Sequence, residues 1–152
     1  MRRTLPKVSN EYVVGLTDGE GCFHVNIWTS RAYRAGSGVQ LQFLIKMQER
    51  DRELLEKVKN TIGCGAVYFQ KEQRANHCQC YRYTVNSHRD ALNTIIPFFK
   101  KHPLQSVSKR ASFEIFCQVA TLIEKGAHRT PKGLEHIRAL KIHMNQKTIG
   151  LA

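Results

Sequence analysis

Two carboxylates, Asp18 and Glu20, alternate with glycines at the end of the run Val13-Val14-Gly15-Leu16-Thr17-Asp18-Gly19-Glu20-Gly21. The apolar stretch before them reads as a helix that starts near Ser9, whose hydroxyl suits an N-cap. This helix carries Tyr12, Val13, Val14 and Leu16. Gly15 and Gly19 are four apart and share one helix face, and without Cβ atoms that face admits close approach of another backbone. Glu20 falls just past the helix end. Two such helices packed on their glycine faces bring one acid from each partner together. Converging carboxylates in a strongly basic protein suit a divalent cation and phosphate chemistry.

The basic character is marked. The chain has 152 residues, 24 Lys or Arg against 12 Asp or Glu, and a formal charge of +12, which makes a polyanion the natural partner. Nucleic acid fits better than a membrane, because no basic amphipathic helix stands beside an anchor and no apolar run approaches the ~20 residues that span a bilayer. Met1-Arg2-Arg3-Thr4-Leu5-Pro6 lacks the apolar core of a signal peptide. From Pro97 onward Lys and Arg outnumber acids ten to three, so that half is expected to touch phosphates. At 41% apolar and 24% charged, residues 1–152 read as one globular domain with a real core. The five cysteines, an odd number, point to free thiols in a reducing compartment.

The elements that position the acids follow from periodicity. Residues 22–30 alternate as a half-buried strand, with Phe23, Val25 and Ile27 on one side and His24, Asn26 and Trp28 on the other. Residues 31–38, with Gly36 and Gly38, read as a loop and the main mobile candidate. Residues 39–47 form a second strand. Leu41, Phe43, Ile45 and Met47 face the core, Gln40, Gln42 and Lys46 face out, and Leu44 is an apolar exception on the outer side. A helix over 50–62 carries Leu54, Leu55, Val58 and Ile62 on one stripe and stops at Gly63-Cys64-Gly65. Strands are expected at 67–70 and 78–86, joined by a polar turn. In the latter, Tyr81, Tyr83 and Val85 oppose Cys80, Arg82 and Thr84. Ser87 caps a helix carrying Leu92, Ile95 and Ile96, which Pro97 kinks or ends. Helices over 108–124 and 131–144 complete the chain, Pro131 lying at an N1-like position. Helices should cover the apolar sheet face and leave a polar antiparallel face exposed.

These residues resemble a known family. Val13 to Gly21 resembles the LAGLIDADG motif of homing endonucleases. Phe43-Leu44-Ile45, Ile62-Gly63-Cys64-Gly65, Tyr81-Arg82-Tyr83-Thr84-Val85, Ile96-Pro97-Phe98-Phe99-Lys100-Lys101-His102-Pro103-Leu104 and Ser108-Lys109-Arg110 match in order. The resemblance covers nearly the whole chain and implies an α+β fold, an αββαββα core with a saddle-shaped antiparallel sheet and helices on one face. One copy of the motif is present, which implies a single-motif homodimer whose motif helices pack at the dyad through Tyr12, Gly15, Leu16, Asp18 and Gly19. A symmetric dimer reads a near-palindromic site.

The resemblance also implies roles. Glu20 takes the position of the metal-binding acid, usually Asp, and its extra methylene moves the carboxylate by about 1.5 Å. The Gly19 carbonyl is the second expected ligand, and Mg²⁺ is the expected ion. Asp18 is expected to act structurally at the helix end. Lys109 aligns with the family's active-site basic residue, with Lys100 and Lys101 as alternates. Leu44, between Gln42 and Lys46, departs from the pattern at a position where some relatives carry a polar pocket residue, and Gln48 is another candidate for that role. The outward strand residues His24, Asn26, Trp28, Gln40, Gln42, Lys46, Tyr68, Gln70, Arg82 and Thr84 are expected to face double-stranded DNA. Amides and Arg suit bidentate reading of adenine and guanine edges in the major groove. Arg31 and Arg34 extend the footprint. Structural zinc on His77, Cys78 and Cys80 with Cys64 or Cys22 is weighed and not expected, for no CxxC pair exists. The leading expectation is an intron-type homing endonuclease that cuts both DNA strands. The alternative is a binding protein on the same scaffold, either an intron RNA maturase or a DNA binder that does not cleave.

Overall fold

The computed structural model describes residues 4–144. The readings made on Met1-Arg2-Arg3 and on the ends of the 1–152 domain lie outside the described residues. The order is α1 (Asn10–Glu20), β1 (Gly21–Thr29), β2 (Ser37–Gln48), α2 (Arg52–Ile62), β3 (Ala66–Gln70), β4 (Cys80–Val85), α3 (His88–Asp90), α4 (Ile96–Lys101), α5 (Val107–Glu124) and α6 (Pro131–Ile142). The fold is thus mixed α+β, as read from the sequence. The four strands form one antiparallel sheet in the order β1-β2-β4-β3. Two hairpins therefore meet along β2 and β4, an order that the periodicity alone does not specify.

The alternation of β1 and β2 becomes the division between core and surface. Phe23, Val25, Leu41, Phe43 and Ile45 are buried, while His24, Asn26, Gln40, Gln42, Leu44 and Lys46 lie on the other face, half-buried. The apolar face packs on the helices through an aromatic cluster. Phe23 meets Phe43, Phe99, Phe113 and Phe116 at centroid distances of 5.1–5.5 Å, the tilted and edge-on contacts that aromatic rings prefer. α1 contributes Val13 and Val14, and α2 contributes Leu55, Val58 and Ile62.

Local chemistry sets the helix ends. Ser9 caps α1 by accepting from the Tyr12 N–H at 3.0 Å. Ser87 and Thr130 cap α3 and α6 in the same way. Gly63 ends α2 in the left-handed region at φ 99°, where Cβ is unfavourable. Pro97 does not end its helix. A π-helical turn over Ala91–Ile95 precedes it, in which the Ile96 N–H donates to the Ala91 carbonyl, and the chain then continues as α4 to Lys101. The wider turn absorbs the proline, which has no N–H and would clash with the carbonyl four residues back.

Candidate active site and nucleic-acid interface

Glu20 is the last residue of α1 rather than the first beyond it, and its side chain is exposed. The reason lies at Gly21. This residue is extended (φ −75°, ψ 155°) and starts β1 at once, while its N–H still donates to the Thr17 carbonyl. A Cβ at Gly21 would lie 2.7–2.9 Å from Thr17 Cγ2, O and Cα, so only glycine lets helix pass directly into strand here. Glu20 is thereby held between a rigid helix and the edge strand. The Gly19 carbonyl belongs to the last helical turn, whose carbonyls lack partners within the helix.

Tyr12, Gly15 and Gly19 form an exposed stripe along α1, with Leu16 half-buried beside them. A Cβ at Gly15 or Gly19 would meet nothing within 4 Å, so no packing among the described residues requires either glycine. A cavity of about 340 Å³ adjoins the stripe, lined by Val14, Gly15, Asp18, Lys101, His102 and Pro103 among others. Asp18 is engaged inside the chain. Its Oδ2 accepts from the Gln105 N–H at 3.0 Å and its Oδ1 from the Ser106 N–H at 3.1 Å. Ser106 is the N-cap of α5, so this carboxylate ties the end of α1 to the positive start of α5.

That tie brings Lys109 to the site. Lys109 lies in the first turn of α5, where its N–H donates to Ser106 Oγ at 3.3 Å. Its charge acts on Cys22, two residues beyond Glu20. Burial raises the Cys22 thiol, and Lys109 opposes that rise. Lys100 lies instead near Cys117, and Lys101 lines the cavity beside Asp18. Of the three lysines, Lys109 is the one placed at the start of β1.

The outward sheet face forms cross-strand rows. Asn26 opposes Gln40, His24 opposes Gln42, and Lys46, Arg82 and Tyr68 form one row across β2, β4 and β3. Gln42 Nε2 donates to Gln40 Oε1 at 3.2 Å. The next row, Gln48, Cys80 and Gln70, lies at the end of the sheet. Leu44 sits between Cys22 and Thr84, an apolar centre to an otherwise polar face. Thr84 differs from the expectation. It occupies that face by register but is only 3% exposed, and its hydroxyl has no partner among the described residues. A larger molecule cannot reach it without displacing its neighbours. Trp28 packs edge-on with Tyr33 at 5.8 Å over Gly38, where a Cβ would lie 2.3 Å from the indole. It is still 37% exposed, at the hairpin end. Arg31 and Arg34 are exposed in the same turn, which closes through Ser30 N–H to Gly36 O at 3.0 Å. Burial, then the charge of Lys141, holds His24 below its ordinary titration range.

Sequence reasoning missed two participants. Glu72 leaves the β3–β4 turn to meet Lys46 on the sheet face, and Arg138 of α6 donates to Ser37 Oγ at 3.0 Å. Neither shows a sequence signal, because both contacts join segments distant along the chain.

The LAGLIDADG endonuclease family model matches residues 13–120. The chain belongs to the LAGLIDADG endonuclease family. It is 31% identical to "Probable intron-encoded endonuclease 2" of Neurospora crassa over 88% of this chain and 28% of that protein. It is 31% identical over 78% of its length to the "Uncharacterized 50.9 kDa protein in ND4 intron 1" of Podospora anserina, of which it covers 25%. The chain thus spans about a quarter of the length of these curated relatives. Among solved LAGLIDADG structures, the homing endonuclease I-TnaI superposes with a TM-score of 0.81 at 32% identity, covering 93% of this chain and 91% of that one. I-LtrWI bound to target DNA superposes with a TM-score of 0.85 at 31% identity, covering 96% of this chain and 47% of that one.

Proposed function

We propose that this chain is one half of a site-specific DNA endonuclease, completed by a second copy packed on the Tyr12–Gly15–Gly19 face of α1. The observation that carries this reading is the end of α1. There an exposed Glu20 and an open glycine face precede Cys22, on which the charge of Lys109 acts, at one end of a polar sheet face. Likeness to I-TnaI over nearly the whole of both chains supports a unit of this size, and likeness to DNA-bound I-LtrWI supports the substrate.

The donors suit Mg²⁺. Glu20 and the Gly19 carbonyl offer hard oxygen ligands, and among the described residues no group of three His, Cys, Asp or Glu is placed to hold a metal within one chain. The set is therefore partial, which fits an ion held with help from a second copy and the DNA phosphate. When bound, Mg²⁺ supplies Lewis-acid activation of water and of the leaving oxygen. The chain's own groups do the rest. Glu20 holds a negative charge at the helix end, Lys109 offsets charge that grows on the phosphate, and Asp18 fixes the distance between their two helices. The sheet rows Asn26–Gln40 and His24–Gln42, with Arg82, Tyr68 and Gln70, read base edges, and Arg31 and Arg34 hold backbone phosphates. A symmetric pair reads a near-palindromic site.

The test is to incubate a randomised duplex library with the protein and Mg²⁺ and to sequence the ends produced, with Glu20→Gln alongside. Near-palindromic double-strand cuts by the native protein alone support the proposal. Cuts that survive in Glu20→Gln would remove Glu20 from the metal site. Selective retention of DNA or intron RNA without cuts would favour the binding-protein alternative. Light scattering that shows a monomer both on and off its site would remove the dimer.

A further inference from the structure

The sheet face proposed to read DNA contains a charge arrangement that its strands alone do not explain. The four strands carry no Asp or Glu. Lys46 and Arg82 stand directly opposite in the β2–β4 ladder, where like charges repel. The counter-charge comes from outside the sheet. Glu72 Oε2 lies 3.2 Å from Lys46 Nζ, and Glu72 Oε1 lies 3.6 Å from Arg74 Nε. The Glu72 side chain is only 14% exposed, against 37% for Lys46 and 75% for Arg74. Its backbone is clamped as well. The Glu72 N–H donates to Gln79 Oε1 at 2.9 Å, and Gln79 Nε2 donates to the Glu72 carbonyl at 3.4 Å. The hydrogen bond and charge of Lys46, with Arg74, keep the Glu72 carboxyl below its ordinary range. The acid is therefore built in and charged at neutral pH.

An acid fixed this way on a surface meant for a polyanion is unfavourable for simple attraction. Its value lies in discrimination, which often needs a repulsive element as well as an attractive one. We propose that Glu72 is a positioning residue for DNA selectivity: it withholds Lys46 and Arg74 from indiscriminate phosphate contact and holds the Lys46 ammonium at the sheet face, where only a correctly seated duplex reaches it. The inference rests on the DNA-reading role proposed above.

The test is the salt dependence of binding to a short random-sequence duplex, compared with a duplex enriched by selection on the native protein. Each cation released to phosphate steepens the slope of log K against log salt by ~0.9. Glu72→Gln is expected to steepen the random-duplex slope by about 0.9 to 1.8, for one or two freed cations. Carried from 1 M to 0.1 M salt, one freed cation tightens random binding roughly eightfold. The enriched duplex should gain less, so selectivity falls. Adding Lys46→Gln to Glu72→Gln should take back about 0.9 of the slope, the share of one cation, whereas Lys46→Gln alone, with Glu72 still pairing that cation, should change it less. A merely structural role for Glu72 would leave the two changes equal. Gln79→Ala keeps every charge and loosens only the clamp. It should steepen the slope by a fraction of one unit, and it keeps the question decidable if Glu72→Gln melts early. Unchanged random-duplex slopes in folded variants would overturn the inference. Native protein that binds neither duplex in a salt-dependent way would instead overturn the DNA reading itself.

Discussion

Asp18 offers a direct check on how the site is assembled. Its carboxylate accepts from two backbone N–H groups, those of Gln105 and Ser106, at 3.0 and 3.1 Å. A hydrogen bond to a charged group contributes about 1.5–3 kcal/mol, and a negative charge at a helix N-terminus adds about 0.3–1 kcal/mol. Gln105 is exposed and Ser106 half-buried, so water satisfies much of what Asp18→Ala would release. Solvent access brings each bond down to about 1 kcal/mol, so a net loss of about 2 kcal/mol is expected for Asp18→Ala. Asp18→Asn keeps one acceptor and should lose about half as much, ~1 kcal/mol. For a chain of this size, 2 kcal/mol corresponds to a fall in Tm of about 4–8 °C. The assay is urea unfolding, read as a midpoint shift at constant m-value. Because Lys109 follows Ser106 by one helical turn, cleavage by both variants should fall further than their stability explains, measured well below the melting range. A midpoint shift for Asp18→Ala equivalent to less than ~0.5 kcal/mol, the scatter of ordinary surface changes, would show that Asp18 does not join α1 to α5 in solution.

Gly15→Ala should leave the isolated chain as stable or up to ~1 kcal/mol more stable, since helix propensity improves and nothing lies within 4 Å of the added Cβ. Gly15→Leu should abolish self-association by sedimentation, and a dimer that survives it would move the interface elsewhere. Gly21→Ala should destabilise by about 1–3 kcal/mol, as overpacking does, because its Cβ would fall 2.8 Å from the Thr17 carbonyl; a thermal melt unchanged from native would contradict this. His24 and His128 both titrate below 6.5 in the folded chain, mainly through burial. As pH falls through 6.5, the unfolded chain takes up protons that the folded chain resists, so stability declines with falling pH. The double change His24→Gln, His128→Gln should flatten that decline, and an identical pH profile would show that neither imidazole is responsible.

Much of the architecture was legible in the residues because local rules sufficed. Alternation in Phe23–Ile27 and Leu41–Met47 set which side of each strand is buried. Ser9, Ser87, Gly63 and Pro131 marked helix ends for reasons that act within a single turn. The exceptions required long-range information. The β1-β2-β4-β3 order depends on pairing between Phe43 and Val85, far apart in the chain. The contact of Asp18 with residues 105 and 106 spans 87 and 88 positions. Thr84 has the right parity for the outer face, yet its neighbours Leu44 and Ala66 flank it, and parity says nothing of that crowding. Glu72 reads as one acid in a polar turn until the turn is folded back on Lys46.

Glu20, the glycine stripe and Lys109 each have an ordinary explanation when taken singly. An exposed acid at a helix end, a helical glycine and a first-turn lysine are all common on surfaces. Their combination is harder to explain by stability. Gly15 and Gly19 forgo helix propensity, about 1 kcal/mol each against Ala, and meet no neighbour that would need the space. Glu20 places a negative charge at the negative end of α1, where the helix dipole disfavours it by about 0.3–1 kcal/mol. All three unfavourable choices fall within six residues, on a helix whose buried side is otherwise well packed through Val13, Val14 and Thr17. Local costs concentrated in this way mark function rather than folding. Under the proposed function, a second helix would supply what the glycines lack, and a divalent cation would supply what Glu20 lacks. The same two additions complete the proposed nuclease, which is why the end of α1, more than the sheet or the net charge, decides the reading.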